Sequence, residues 1–312
     1  MKTNTQINLH KPKRFTELQK DILSGLVYFN IFEFPLKPSE IQNLTVNHYS
    51  EKLVLGALAE LMSKGVIFGY DGFYSCQKEV KPLVDKRIEN QRSTGKFFSV
   101  LPRYVRLISK FPFVRAVAIS GSLSKGVLHE NGDIDYFIIT QKGRLWLART
   151  LLILYKKTVL LNSKEYFCVN YFISEDNLLL EDQNRFTATE VSFLIPVYNP
   201  ELIDRFKETN QWLHQFYGHF EHPIELETQT RDGKRSKRFL EIGLNNVLGN
   251  WLETTFMKIT MRKWMRKFPH FDPKKFELTM RSRSDISKHH PQDFQTKVLD
   301  QFEKDLHNIL GE

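Results

Sequence analysis

FVRAVAISGSLSKGVLHENGDIDYFIIT, residues 113–140, is the stretch on which the reading of this chain turns. An apolar, β-branched run from Val114 to Ile119 ends in Gly121-Ser122, and about ten residues later Asp133 and Asp135 open a second apolar run, Tyr136 to Ile139. Side chains at i and i+2 of a strand share a face, so the two carboxylates point the same way at the mouth of a strand whose other residues read as buried. Carboxylates held that close repel unless a cation lies between them. A hard ion that takes carboxylate and phosphate oxygens together, Mg²⁺ or Mn²⁺, suits the pair. Gly121 lets the backbone approach a phosphate, and the hydroxyl of Ser122 and the amides after it can donate to phosphate oxygens. Strand, Gly-Ser turn, short helix, then Asp-x-Asp on the next strand is an arrangement for holding a nucleoside triphosphate with its metal.

The segment resembles the signature of the polymerase-beta-like nucleotidyltransferase superfamily: an apolar strand, Gly-Ser, some ten residues, then Asp-hydrophobic-Asp-hydrophobic. The resemblance implies transfer of a nucleoside monophosphate from a triphosphate to an acceptor hydroxyl, with divalent metals. It implies nucleotide contacts from Gly121, Ser122, Ser124 and Lys125 in the Gly-Ser-Leu-Ser-Lys-Gly turn, and metal ligation and catalysis by Asp133 and Asp135. Members usually carry a third carboxylate on a later strand. The next strand-like run, Tyr166 to Ile173, has Asn170 at its centre. Asparagine coordinates through its carbonyl or positions a water, but takes no proton at neutral pH. Glu165 and Glu175, which flank that run, are the alternatives for the role. An acceptor that needs no strong base is another explanation, and a site that binds nucleotide without turning it over is the third.

Composition bounds the remainder. The 312 residues are 41% apolar and 13% aromatic, enough for real cores, and the formal charge of +9 favours polyanionic partners. Cys76 and Cys168 alone indicate a reducing compartment without a disulfide framework. No Cys/His cluster has zinc spacing, and His289-His290 reads as a surface pair. The polar N-terminus lacks the apolar centre of a signal peptide, and the longest apolar stretch, Leu145 to Leu161, is too short and too charged to span a bilayer. A cytoplasmic protein is expected.

The expected class is α+β: a nucleotidyltransferase-type mixed sheet flanked by a winged-helix-like unit and a C-terminal helical domain. Residues 1–14 read as a flexible N-terminus. Residues 15–76 read as the winged-helix-like unit, with helices over 16–32, 40–45 (Ser39 as N-cap) and 51–64 (Leu53, Leu58 and Leu61 apolar, Gly65 closing it), then a hairpin around Asp71-Gly72. The third of these helices is poor in the basic residues of a groove reader, so an interaction module is favoured over DNA reading. Residues 77–110 read as a connecting helix interrupted near Pro102, 111–180 as the transferase core, and 181–312 as the helical domain. In that last part helices are expected over 185–194, stopped by Pro196, and over 201–216, 239–268 and 291–310, with a basic polar loop at 221–238. The second half of 239–268 combines Met257, Met261, Trp264 and Met265 with five cations, which fits packing on the core first, a polyanionic acceptor second and a membrane surface third. The partners expected are a nucleoside triphosphate and an unidentified acceptor, with nucleic acid the lesser expectation. The rival reading is a catalytically weakened nucleotide-binding regulator acting through the winged-helix-like unit.

Overall fold

The structure, a computed structural model, describes residues 15–127, 132–163, 165–226, 228 and 235–311. The expected flexible stretch 1–14 and residues 231–234 of the basic loop lie outside the described residues. The class is α+β, and the chain divides into two compact units, up to Val84 together with Lys297 onward, and Asp85–Thr296.

The first unit opens with α1 (Glu17–Asn30), whose N-terminus is closed by a capping box: Thr16 Oγ1 accepts from the Gln19 amide, and Gln19 returns the bond. Its apolar stripe, including Ile22, Leu23, Leu26 and Phe29, is buried. The second helix, α2 (Pro38–Asn43), begins two residues earlier than expected. Lys37 rather than Ser39 is its N-cap, because Pro38 already has the helical φ and has no amide to leave unpaired at N1. In α3 (Glu51–Ser63) the buried positions are Val54, Ala57, Leu58 and Leu61, while Leu53 is exposed, one step off the stripe. Gly65 (φ +62°) ends that helix as expected. Strands β1 (Phe68–Tyr70) and β2 (Phe73–Ser75) pair antiparallel through Asp71 and Gly72, both at positive φ, the geometry of a tight two-residue hairpin.

Helix α4 (Val80–Ser109) runs through Pro102 without the expected interruption. One lost amide bond is tolerable where the flanking turns are packed, and Leu101, Val105 and Ile108 are buried. The second unit is built on a five-stranded mixed sheet. Its strands and helices follow in the order β3 (Val114–Ser120), α5 (Gly121–Ser124), β4 (Asp135–Thr140), α6 (Leu145–Thr158), β5 (Cys168–Ser174), α7 (Arg185–Ser192), β6 (Ile195–Tyr198), α8 (Pro200–Thr209), α9 (Arg235–Leu244), α10 (Val247–Lys267), α11 (Pro273–Met280) and β7 (Ile286–Lys288). The sheet order is β6-β3-β4-β5-β7, with β4 and β5 parallel and the other pairs antiparallel. Helix α6 supplies the crossover between β4 and β5 and ends before Leu161 and Asn162, which both sit at positive φ.

The expected boundary at 180 does not hold. Both edge strands, β6 and β7, come from the region expected to be a separate helical domain, so the sheet unit reaches residue 296. Pro196, expected only to stop a helix, sits inside β6, where an edge strand leaves its missing amide without cost. The expected helix 201–216 ends at Thr209 and gives way to a 3₁₀ turn, Gln211–Gln215. Asn210 forces the change. Its buried amide donates to the carbonyls of Leu178 and Phe206 and accepts from the Leu180 amide and Trp212 Nε1. The expected helix 239–268 is two helices. Asn246 caps α10, and Gly249 lies so close to Leu244 that a Cβ there would stand 1.7 Å from the Leu244 carbonyl oxygen. His289 and His290 are not a surface pair. Their rings lie 4.9 Å from Trp264 and 6.1 Å from Tyr171, and burial lowers both pKa values to about 4. The last helix, α12 (Phe294–Leu310), belongs chiefly to the first unit, where Phe302 contacts Tyr28. Among the described residues no helix is long and apolar enough to cross a membrane.

Candidate functional site

Register places the two halves of the signature together. Ser120 on β3 faces Asp135 on β4, so the turn that follows β3 begins against the carboxylate of Asp135. Gly121 is at φ +68°, and a Cβ there would lie 2.5 Å from Asp135 Oδ2. Only glycine meets both conditions. Gly121→Ala should therefore push Asp135 aside and cost about 1–2 kcal/mol from the left-handed backbone alone, a loss read in a denaturant melt. A melt unchanged from the parent would contradict the close approach.

The third element is β5. Cys168 is the register partner of Asp135, and the register then slips so that Tyr171, not Asn170, pairs with Phe137. Asn170 is the extra residue of a bulge. Its side chain reaches the same place as its neighbour's: Nδ2 donates to Asp135 Oδ1 at 3.3 Å and to Cys168 Sγ at 2.9 Å. Ligand atoms of Asp133, Asp135 and Cys168 all lie within 4.8 Å of one another. Burial, and then the neighbouring charge of Asp133, raise the Asp135 carboxyl to about 7. Burial first, and then Asp135, raise the Cys168 thiol, which stays protonated.

The turn residues divide. Ser122 is half-buried, and its hydroxyl has no partner among the described residues. Ser124, expected to contact nucleotide, is fully buried, and its Oγ donates to the Gly121 carbonyl at 2.9 Å. It shapes the turn instead of facing a ligand. Lys125 donates to the same carbonyl at 3.1 Å and pairs with Glu190 of α7 at 2.9 Å, so its charge is already answered. Neither alternative to Asn170 takes the third position. Glu175 lies past the far end of β5 against the Lys142 amide, and Glu165 is exposed with its side chain on Tyr166.

Comparison of the chain with models of known families, with curated proteins and with solved structures gives no match. The site therefore rests on its own geometry.

Three participants were missed in the sequence. Cys168 looked like one more apolar strand residue. Glu190 faces both Lys125 and the field of Asp135 from a helix 65 residues away. His222 locks the turn from outside: Nε2–H reaches the carbonyls of Ser124 and Phe193, each at 3.1 Å, while Nδ1 accepts from the Ile224 amide. Burial lowers the His222 pKa and favours this neutral ring. A periodicity reading has no signal for such pairs, since each joins segments distant in the chain.

Proposed function

We propose that this chain is a metal-dependent nucleotidyltransferase that moves a nucleoside monophosphate from a triphosphate to an acceptor hydroxyl. The observation that carries the reading is the convergence of Asp133 and Asp135 with the turn at Gly121 and Ser122, across paired strands. The donor set fits a hard divalent ion. It offers two carboxylates and, beside them, the amide of Asn170, all able to present oxygen, while the protonated Cys168 thiol is a poor ligand for such an ion. Asp133 and Asp135 would hold Mg²⁺ or Mn²⁺. Bound there, the ion supplies charge neutralisation for the triphosphate and for pyrophosphate as it leaves.

The chain's own residues do the positioning. Ser122 offers a hydroxyl free to bind a phosphate oxygen, and Gly121 leaves the backbone open beside it. In the transfer, the acceptor oxygen bonds to the α-phosphorus, the bond to the bridging oxygen breaks, and pyrophosphate departs. Asn170 cannot accept the acceptor's proton, which passes to a site carboxylate or to water. That same substitution favours a second reading, a nucleotide-binding regulator that has lost the chemistry.

Calorimetric titration with each common ribonucleoside triphosphate, in Mg²⁺ and then in EDTA, tests both. Metal-dependent binding of one triphosphate, followed by pyrophosphate release, is expected of the enzyme. Binding without release in the presence of candidate acceptors favours the regulator, and no binding to any triphosphate removes both readings.

A further inference from the structure

Helices α9 and α10 carry the densest group of exposed apolar side chains among the described residues. Phe239 is 78% exposed, Ile242 67%, Val247 84%, Leu248 55% and Trp251 62%, all within thirteen residues of the turn between the helices. Exposed apolar groups scattered singly need no explanation, but a cluster of this density does. The core does not claim them. The inner side of these helices packs through Leu244, Leu252 and Phe256 against Phe113, Leu147 and Ala148.

The charges sort in the same way. Both acids of the two helices point inward. Glu241 accepts from Arg115 Nη1 and from the Phe113 amide, each at 2.7 Å. Glu253 accepts from the Trp146 and Leu147 amides at 2.7 and 2.8 Å, capping the start of α6. The outward cations are left without acids. Arg238, Lys258, Arg262 and Arg266 are exposed, and none has an acidic partner among the described residues. Positions 247, 251, 258, 262 and 266 are spaced by four or seven, so one face of α10 is apolar at its start and basic along its second half. Alongside it, Lys157 of α6 stands against Lys263 and lowers the Lys263 pKa, a further sign that this side gathers positive charge without compensation.

From this face we infer a docking surface for an anionic lipid bilayer, with the α9–α10 turn entering the interface and the basic half of α10 lying on the headgroups. The occupant follows from the chemistry. A second copy would set cations against cations. Nucleic acid would meet the cations, but Val247, Leu248 and Ile242 have no ring to stack on a base, and a hydrated phosphate backbone gains nothing from aliphatic side chains. A bilayer satisfies both halves at once, apolar groups in the acyl boundary and cations on the headgroups. The geometry requires no spanning helix. It is also independent of the nucleotide site, so its test needs no triphosphate and its failure leaves the transferase reading untouched.

Flotation of the full chain with vesicles tests it, using phosphatidylcholine alone and phosphatidylcholine mixed with phosphatidylserine. Of the four tryptophans only Trp251 is exposed, Trp146, Trp212 and Trp264 being buried, so intrinsic emission reports on this face. The expected result is flotation with the serine-containing vesicles only, accompanied by a blue shift. Leu248→Ser with Trp251→Ser should weaken partition by about tenfold or more, with circular dichroism unchanged, since both side chains are exposed. Charge reversal at Lys258, Arg262 and Arg266 should abolish the preference for phosphatidylserine. No flotation overturns the inference. So does flotation indifferent to the Leu248/Trp251 pair, which is adsorption by charge alone. Single-stranded RNA binding that the same pair of substitutions removes would reassign the face to nucleic acid.

Discussion

Replacing Asp135 by alanine is expected to abolish metal-dependent triphosphate binding while leaving the fold as stable as before, or more so. The two effects separate because of what Asp135 does in the folded chain. Its carboxyl is buried beside Asp133, and both circumstances oppose its charge. Its compensation is slight: one long hydrogen bond from Asn170 and the neighbouring Cys168. A side chain kept for stability would not be left like this. One kept to grip a cation must be, because the strain is relieved only when the ligand arrives. Removal should weaken Mg²⁺-dependent nucleotide binding by roughly 100-fold or more, the scale of losing a preorganised charged group in a site. Asp133→Ala should do the same. Calorimetry with the bound triphosphate reads the first effect and a denaturant melt reads the second. A variant that melts early and binds normally would make the pair an ordinary structural feature and sink the site.

What was legible in the sequence is what is local. The strand, the Gly-Ser turn and the Asp-x-Asp pair lie within one short stretch, and strand periodicity alone puts both carboxylates on one face. The hairpin at Asp71-Gly72 was legible because a tight turn needs positive φ at both positions. The features that were missed depend on distant partners or on breaks in the period. A bulge brings Asn170 to the side of Cys168, and nothing in Cys-Val-Asn-Tyr announces a bulge. Strand β6 was hidden by Pro196, whose usual meaning is reversed at a sheet edge. Strand β7, three residues long, is too short to show alternation. The break between α9 and α10 falls in a sequence whose helical period continues across it. Only the crowding of Gly249 against Leu244 shows why the turn is possible there. Lys125 was expected to face phosphate because its place in the turn is right. Its pairing with Glu190 is a tertiary fact, and it changes what that cation is free to do.

The same burial that marks Asp135 makes the stability of the metal-free protein depend on pH in a direction of known sign. The group titrates near 3.8 when unfolded and at about 7 when folded. The folded chain therefore holds a proton that the unfolded chain has lost between these values, and its share of stability is fully present below about 3.8 and is lost as pH rises through about 7. The share is about 2–4 kcal/mol by linkage. His289 and His290 act oppositely. Their folded values near 4 lie below the ordinary 6.5, so the unfolded chain binds more protons between these limits and their contribution rises with pH up to about 6.5. The raw profile is then a sum of opposed slopes, and the informative quantity is the difference between the parent and Asp135→Asn. Between pH 4 and 7 the stability of the parent should fall relative to the variant, most steeply near about pH 5 to 6, and level off above about 7, the histidines cancelling in the difference because both proteins carry them. Mg²⁺ should reverse the trend, because a cation between the carboxylates favours their ionised form. It should raise the melting temperature of the parent more at pH 8 than at pH 5 and leave Asp135→Asn almost unmoved. Melts across pH, with and without Mg²⁺, decide the matter. A difference that stays flat across this range would mean that Asp135 is ionised and well solvated, and an equal Mg²⁺ effect in the variant would place the ion elsewhere.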